Sequence, residues 1–229
     1  MTDNDAPALI FGATRGTGLE AGRALTRMGI PVAAVVRSSS DTAAIEASGA
    51  TIITANIFNA HEIDSILDAN NYSAVVLSLS GKKGEAKRAD REGAQKIIDA
   101  ANQHGVSRVL MVTAIGCGAS RDIMAPKVIE VLGEVLEAKT TAENYLQDSG
   151  LEYTIIRPGG LTNDPASGTA IKTTDQTVMG VAHRADVGQL VADCLADRES
   201  IGKIYHAVDP EIKWQPPLQR GEDPDNSVK

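Results

Sequence analysis

The sequence predicts an α/β fold, doubly wound around a parallel sheet of about seven strands with helices on both faces. Three observations carry this. Short apolar runs alternate with longer stretches of helical periodicity. Most of those runs are continuously apolar, not alternating. The first run leads through a glycine-rich turn directly into a helical stretch. A continuous apolar run marks a strand buried on both faces, the condition of a parallel sheet covered by its crossover helices. Alternation of strand and helix implies βαβ units with right-handed crossovers.

In chain order the strands read as Ala8–Phe11, Val32–Val36, Thr51–Thr54, Ala74–Leu79, Arg108–Val112, Tyr153–Ile156 and Lys203–Val208. Between the first two, Ala21, Ala24, Leu25 and Met28 fall at i, i+3, i+4, i+7, and Gly29 stops the helix. Ala94, Ile97, Ile98 and Ala101 repeat the spacing before Gly105, and Val128, Val131, Leu132 and Val135 repeat it again. Two stretches break the rhythm: loops at Gly116–Pro126 and Pro158–Gly180, after the fifth and sixth strands. Open α/β sheets bind ligands at the carboxyl ends of their strands, so both are candidate substrate loops. Residues 1–210 read as one domain. Residues 211–229 lack periodicity and read as a tail, whose Trp214 either docks or moves freely.

Composition sets outer limits. Of 229 residues, 42% are hydrophobic and 23% charged, the balance of a folded globular protein. Lys plus Arg is 22 against 30 for Asp plus Glu, a net charge of −8, which argues against a general nucleic-acid binder. An anionic cofactor needs only local positive charge. No apolar run approaches the roughly 20 residues that span a bilayer. Met1–Pro7 is polar and acidic, unlike a secretory signal, and Cys117 and Cys194 form no motif, so a cytoplasmic setting is expected. The four histidines, His61, His104, His183 and His206, show no metal-ligand spacing, and no metal site is expected. His104 precedes a helix-ending glycine, where a cation suits the helix dipole.

The turn Gly12-Ala13-Thr14-Arg15-Gly16-Thr17-Gly18 carries the chemistry. Gly12 permits the tight turn, Gly16 lets backbone approach a pyrophosphate, and Gly18 lets the helix pack closely. Amides at the helix start would face the phosphates. In this strand–turn–helix context the pattern is a Rossmann-type dinucleotide site. Sheets of this kind that prefer NAD place an acidic residue after the second strand, against the ribose 2′-hydroxyl. Here Arg37 and Ser38 stand there, and no Asp or Glu occurs before Asp41. A guanidinium suits a 2′-phosphate, so NADP(H) is the expected cofactor, with Arg15 as a second cation; the alternative for either arginine is a solvated surface charge.

These residues, together with Glu92-Gly93-Ala94, His104–Val109, Val112–Gly116, Leu136–Lys139, Ser149–Gly159 and His183–Val187, resemble the atypical short-chain dehydrogenase/reductase superfamily. Within it the resemblance is to NmrA-like and biliverdin-reductase-B-like proteins. It implies that the turn Leu77-Ser78-Leu79 through Gly81 passes beside the cofactor riboses. It puts Asn56 and Ile57 at the adenine edge, though relatives often have Asp at the position of Asn56. It places Thr113 near the nicotinamide ribose or reacting centre, and Pro158, Gly159 and Gly160 in the nicotinamide pocket through their backbone groups.

The chain departs from that pattern at the catalytic pair. The resemblance implies a Tyr four residues before a Lys. Lys139 is present, but Val135 holds the Tyr position, and Tyr145 lies on another helical face. The Ser that partners the Tyr aligns with Ala114 or Thr113. Lys139 also stands out without the family: it falls within a stripe of Leu132, Val135, Ala142 and Leu146 expected to face the core, where an ammonium requires partners. Ribose hydroxyls would supply them; the alternative is a packed stem with its head in water. Lys139 and Thr113 are thus the candidate catalytic residues. The expected function is an NADPH-dependent reductase of a small planar or aromatic acceptor, of flavin, bilin, quinone or carbonyl type. The alternatives are a non-catalytic NADP(H)-binding sensor of NmrA-like type and an isomerase or epimerase with bound cofactor. A small-molecule substrate is the only partner expected, and the sequence leaves monomer or homodimer open.

Overall fold

The computed structural model describes residues 6–81 and 84–213. The body of the tail, including Trp214, and the first five residues lie outside the described residues. In chain order the elements are β1 (Ala8–Phe11), α1 (Gly16–Arg27), β2 (Val32–Val36), the one-turn α2 (Ala43–Glu46), β3 (Thr51–Thr54), α3 (Ala60–Ala69), β4 (Ala74–Leu77), α4 (Ala94–Gln103), β5 (Arg108–Val112), α5 (Pro126–Asp148), β6 (Glu152–Pro158), β7 (Gly160–Thr162), β8 (Ile171–Thr173), β9 (Val181–His183), α6 (Arg184–Ala196) and β10 (Lys203–Val208). A π-helical turn, Ala89–Gly93, leads into α4, and a 3₁₀ turn, Gly118–Ile123, precedes α5.

Eight strands form one sheet in the order β3-β2-β1-β4-β5-β6-β10-β8. All neighbours are parallel except the edge strand β8, which runs antiparallel to β10 with His206 opposite Thr173. The order reverses between β1 and β4, so the crevice at their carboxyl ends is the topological switch point of the sheet. Alternate residues of each strand feed two cores. Leu9, Phe11, Val75 and Leu77 pack under α3, α4 and α5, while Ala8, Ile10, Val76 and Leu110 pack under α1 and α6. Both faces of β1 and β2 are fully buried, as their continuous apolar runs predict.

The sheet has one strand more than expected, and the addition lies in a stretch read as loop. Residues 158–180 contain β7 and β8, each three residues long and too short to leave a pattern in the sequence. A second small sheet pairs β7 with β9 in parallel, Gly160 opposite Val181. The fourth strand ends at Leu77, not Leu79, and the sixth extends to Glu152–Pro158.

Helix α5 corrects the sequence reading. Its 23 residues span about 34 Å at 1.5 Å per residue, whereas the seven residues of β6 span about 23 Å. A helix that long overhangs the sheet. No residue from Pro126 to Val135 is buried, and Val131 and Leu132 are 60% and 44% exposed. The core-facing side begins at Leu136 and runs through Lys139, Ala142 and Leu146. Among the described residues no helix is long and apolar enough to cross a membrane.

Candidate functional site

The cleft begins at the turn between β1 and α1. Gly12 has φ +90°, and a Cβ there would lie 2.2 Å from the Ser78 carbonyl oxygen at the end of β4. A Cβ on Gly18 would lie 2.2 Å from the Gly12 carbonyl oxygen, so the turn closes on itself as well as on the neighbouring strand. Only glycine fits either place. At Gly16 a Cβ would meet no backbone, only Arg184 Nε and Cδ at 3.6 and 3.7 Å, so the turn opens there onto the cleft. Arg15, the residue before α1, is extended, and no side chain caps the helix. The first amides of α1 therefore have no side-chain acceptor. That is the cradle a phosphate group requires, and the donor set fits a dinucleotide diphosphate.

Arg15 points into solvent, as do Arg37 and Ser38 just past β2. Asn56, after β3, is already engaged in its own turn: its N–H donates to Glu62 Oε2 at 2.7 Å and its side-chain oxygen accepts from the Phe58 N–H at 3.1 Å. Ile57 packs beneath Gly93, where a Cβ would come within 2.8 Å of its Cδ1. Ala13 and Thr17 are buried within the turn, and Thr14 is half-buried. The predicted positions thus follow the carboxyl ends of β1, β2, β3, β4, β5 and β6, six strands adjacent in space.

At the other end, Leu77, Leu79, Asp90, Ala94, Met111, Val112, Thr113 and Lys139 line a narrow pocket of about 10 Å³, little more than the space of one water. Lys139 is 8% exposed, and its Nζ donates to the Leu79 carbonyl oxygen at 2.7 Å. One of its three donors is used in this way. Burial pushes its pKa below the usual lysine value, while the carboxylates of Asp90 and Glu143 act in the opposite direction. Beneath the 77–81 turn lies a buried ion pair. Arg88, 1% exposed, donates to both carboxylate oxygens of Asp90 at 3.1 and 3.0 Å and reaches Glu134 Oε1 at 3.0 Å.

Thr113 does not present a free hydroxyl proton. Its Oγ1 donates to Glu143 Oε1 at 2.5 Å. Glu143 is wholly buried, one helical turn after Lys139, and takes two bonds from Arg157, Nε at 3.0 Å and Nη2 at 2.6 Å. Arg157 Nη1 continues to Gln176 at 2.7 Å, inside the 158–180 stretch. Val135 is half-buried in the position where a Tyr would stand, and Tyr145 turns away to donate to Asp99 at 2.5 Å on the surface. The backbone of 158–160 is also occupied. The Pro158 carbonyl accepts from Ile115, the Gly159 N–H donates to Ala207, and the Gly160 N–H donates to Gly180. Cys117, beside the pocket, is buried and its thiol is pushed up to about 11 by burial, so it stays neutral.

A family model for NAD(P)H-binding proteins matches residues 12–198. The chain belongs to this NAD(P)H-binding family. The family assignment agrees with the atypical short-chain dehydrogenase/reductase resemblance read from the motifs. The chain is 32% identical over 178 residues to an uncharacterized sugar epimerase, YhfK, of Bacillus subtilis, covering 76% of this chain and 80% of that one. It is 28% identical over 158 residues to sanguinarine reductase of Eschscholzia californica, 66% of this chain and 56% of the relative. Among solved structures it resembles ChuY, an anaerobillin reductase from Escherichia coli O157:H7, with a TM-score of 0.81, 28% identity, and coverage of 92% of this chain and 100% of the other.

Within this candidate site, sequence reasoning missed five charged residues beyond Lys139, Arg15 and Arg37. Asp90 lines the pocket, Arg88, Glu143 and Arg157 lie buried behind it, and Arg184 sits at the phosphate turn, yet none was named as a site residue. The available signal was Arg157, a charged residue directly after the apolar Ile155-Ile156 of β6. The spacing of the histidines also hid a cluster. The fold brings His183, Asp186 and Asp209 within 4.8 Å of one another. Their polar atoms already have partners in Thr162, Ser167, Gly168 and Thr169.

Proposed function

We propose that this protein is an NADPH-dependent reductase that delivers hydride to a small planar or aromatic acceptor of flavin, bilin, quinone or carbonyl type. The observation that carries the reading is the state of the reaction end of the cleft. Lys139 is a buried donor with capacity left after Leu79, whereas the Thr113 hydroxyl proton is committed to Glu143 and no tyrosine is in reach. Such a site can hold a ribose and orient a ring. It has no tyrosine hydroxyl in the usual position for a proton donor, so it suits acceptors whose proton comes from water or from the acceptor itself.

In this reading the turn amides, with Arg15, hold the phosphates. Arg37 and Ser38 meet the 2′-phosphate, and Lys139 binds the nicotinamide ribose. Leu77, Ser78 and Leu79 pass beside the riboses, Asn56 and Ile57 border the adenine, and Pro158–Gly160 shape the pocket wall. A bound reduced nicotinamide would supply the hydride. Relatives named as reductases support the chemistry. The kinship to a protein named as a sugar epimerase keeps a second reading, isomerisation with a resident cofactor. The deciding experiment follows NADPH oxidation by absorbance with flavin, quinone and bilin acceptors. Steady turnover is the outcome we expect. Tight cofactor binding without turnover across the panel would make the protein a sensor, and product formation without net NADPH loss would make it an isomerase.

A further inference from the structure

Arg184 opens α6 and leans over Gly16, its Nε 3.6 Å from where a Cβ would stand. The fold puts it there deliberately close. A Cβ on Gly188 would lie 2.5–2.7 Å from the backbone of Glu20 and Ala21, so α1 and α6 cross in backbone contact four residues into each helix (16 to 20, 184 to 188). Their starts consequently lie side by side at the cleft. The guanidinium is held from the other side, Nη1 donating to the Leu161 carbonyl at 3.2 Å and to Asn163 Oδ1 at 2.8 Å.

Its charge is the wrong sign for that position. A helix N-terminus carries partial positive charge and favours anions, and Arg184 sits at two of them, its own and that of α1. Arg88 and Arg157, the buried arginines at the other end of the cleft, each pair with carboxylates. Among the described residues no carboxylate forms an ion pair with Arg184. Asp186 supplies an acidic residue in the first turn of α6, whereas the first turn of α1 has none, so an anion at the α1 amides would be attracted by that helix start and by Arg184 together.

We infer that Arg184 binds the diphosphate of the nicotinamide cofactor, closing the phosphate turn from the side opposite its amides. The inference rests on the cofactor reading above and deepens it. Arg37 lies past β2, on the adenosine side; Arg184 lies beside Gly16 and is tied to the segment after β7. The two arginines therefore divide the work. Arg37 tells NADPH from NADH, whereas Arg184 serves both alike and links occupied phosphates to the segment holding Leu161 and Asn163.

The test is calorimetric titration of the full chain with NADPH and NADH, without any acceptor substrate, for the wild type, Arg184→Gln and Arg184→Lys. Arg184→Gln keeps a polar N–H beside the turn but loses the charge. It should weaken both cofactors by the same factor, about tenfold or more for a lost bond to a charged group. The NADPH:NADH ratio and the melting temperature should hold. Arg184→Lys should recover most of the affinity, and the gap between wild type and Arg184→Gln should narrow as salt rises. Unchanged affinity in Arg184→Gln overturns the inference, as does Arg184→Lys binding as weakly as Arg184→Gln. A wild type that binds neither cofactor overturns this inference and the cofactor reading together.

Discussion

Around the turn Gly12–Gly18 the cleft is made of backbone, small side chains and exposed arginines; around Lys139 it is made of buried charge. At the first end the proposed recognition groups are helix amides, and the sheet beneath consists of apolar strands. At the second end, Arg157–Glu143 and Arg88–Asp90 sit in the core, each bidentate and each nearly inaccessible. Removing a group from the first end deletes a ligand contact and leaves a fold behind. Removing one from the second strands an opposite charge in the interior. The same cleft should therefore answer mutation in two ways, with affinity lost at one end and stability lost at the other.

The largest test of that contrast is Glu143→Ala. It leaves Arg157 and the Thr113 hydroxyl without their acceptor, and breaking a buried pair from one side costs about 3–5 kcal/mol. Chemical denaturation should show that loss, and a change under about 1 kcal/mol would mean that water or Gln176 replaces the carboxylate. The counterpart is Gly16→Val. Its φ of +60° adds backbone strain of about 1–3 kcal/mol, and its branched side chain fills the opening where phosphate must approach. Calorimetry should find cofactor binding lost in protein that still melts cooperatively. Retained micromolar affinity would place the phosphates elsewhere.

The two ends also differ in how far the sequence exposes them. The glycine turn is local: seven consecutive residues and the strand and helix beside them suffice to read it, and the strand boundaries of β1, β2 and β3 follow from their apolar runs. The charged end is assembled across distance. Glu143 comes from a helix, Arg157 from a strand, Thr113 from the residue just past another strand and Gln176 from a stretch with almost no regular structure. No periodicity of 2 or 3.6 relates them. Leu132 misled for a related reason: helical spacing identifies an apolar stripe, but only the length of the sheet decides where along the helix that stripe stops being covered. Lys139 was legible because it breaks the stripe in the covered part.

Arg37 probes the open end more finely. A bond to a charged group contributes about 1.5–3 kcal/mol, roughly 10- to 150-fold in affinity. The wild type should bind NADPH at least about tenfold more tightly than NADH, less so in high salt because Arg37 is exposed. Arg37→Asp should erase or invert the preference, since a carboxylate repels a 2′-phosphate and accepts from a free 2′-hydroxyl. Equal dissociation constants in the wild type would remove the basis for reading NADPH.

Lys139 joins the two regimes, because it is a buried charge that the ligand itself is proposed to complete. Lys139→Met should weaken NADPH binding about tenfold, the value of one hydrogen bond to a charged group, with the fold retained because the methionine stem fills the same space. The sharper measurement is pH. Burial lowers the Lys139 pKa; the carboxylates of Asp90 and Glu143 act against that lowering and Arg88 adds to it. The protonated amine is the form that donates to both Leu79 and a ribose. Affinity should therefore be highest below the lowered pKa and fall as pH rises through it, starting at a lower pH than the ordinary lysine value of about 10.4 allows. Cys117, with its thiol pushed up to about 11, stays neutral over that range and does not imitate the effect. Lys139→Arg keeps its charge throughout, so its alkaline limb should flatten even if its affinity is lower. A wild-type profile as flat as that of Lys139→Arg would mean that the Lys139 proton plays no part in holding the cofactor.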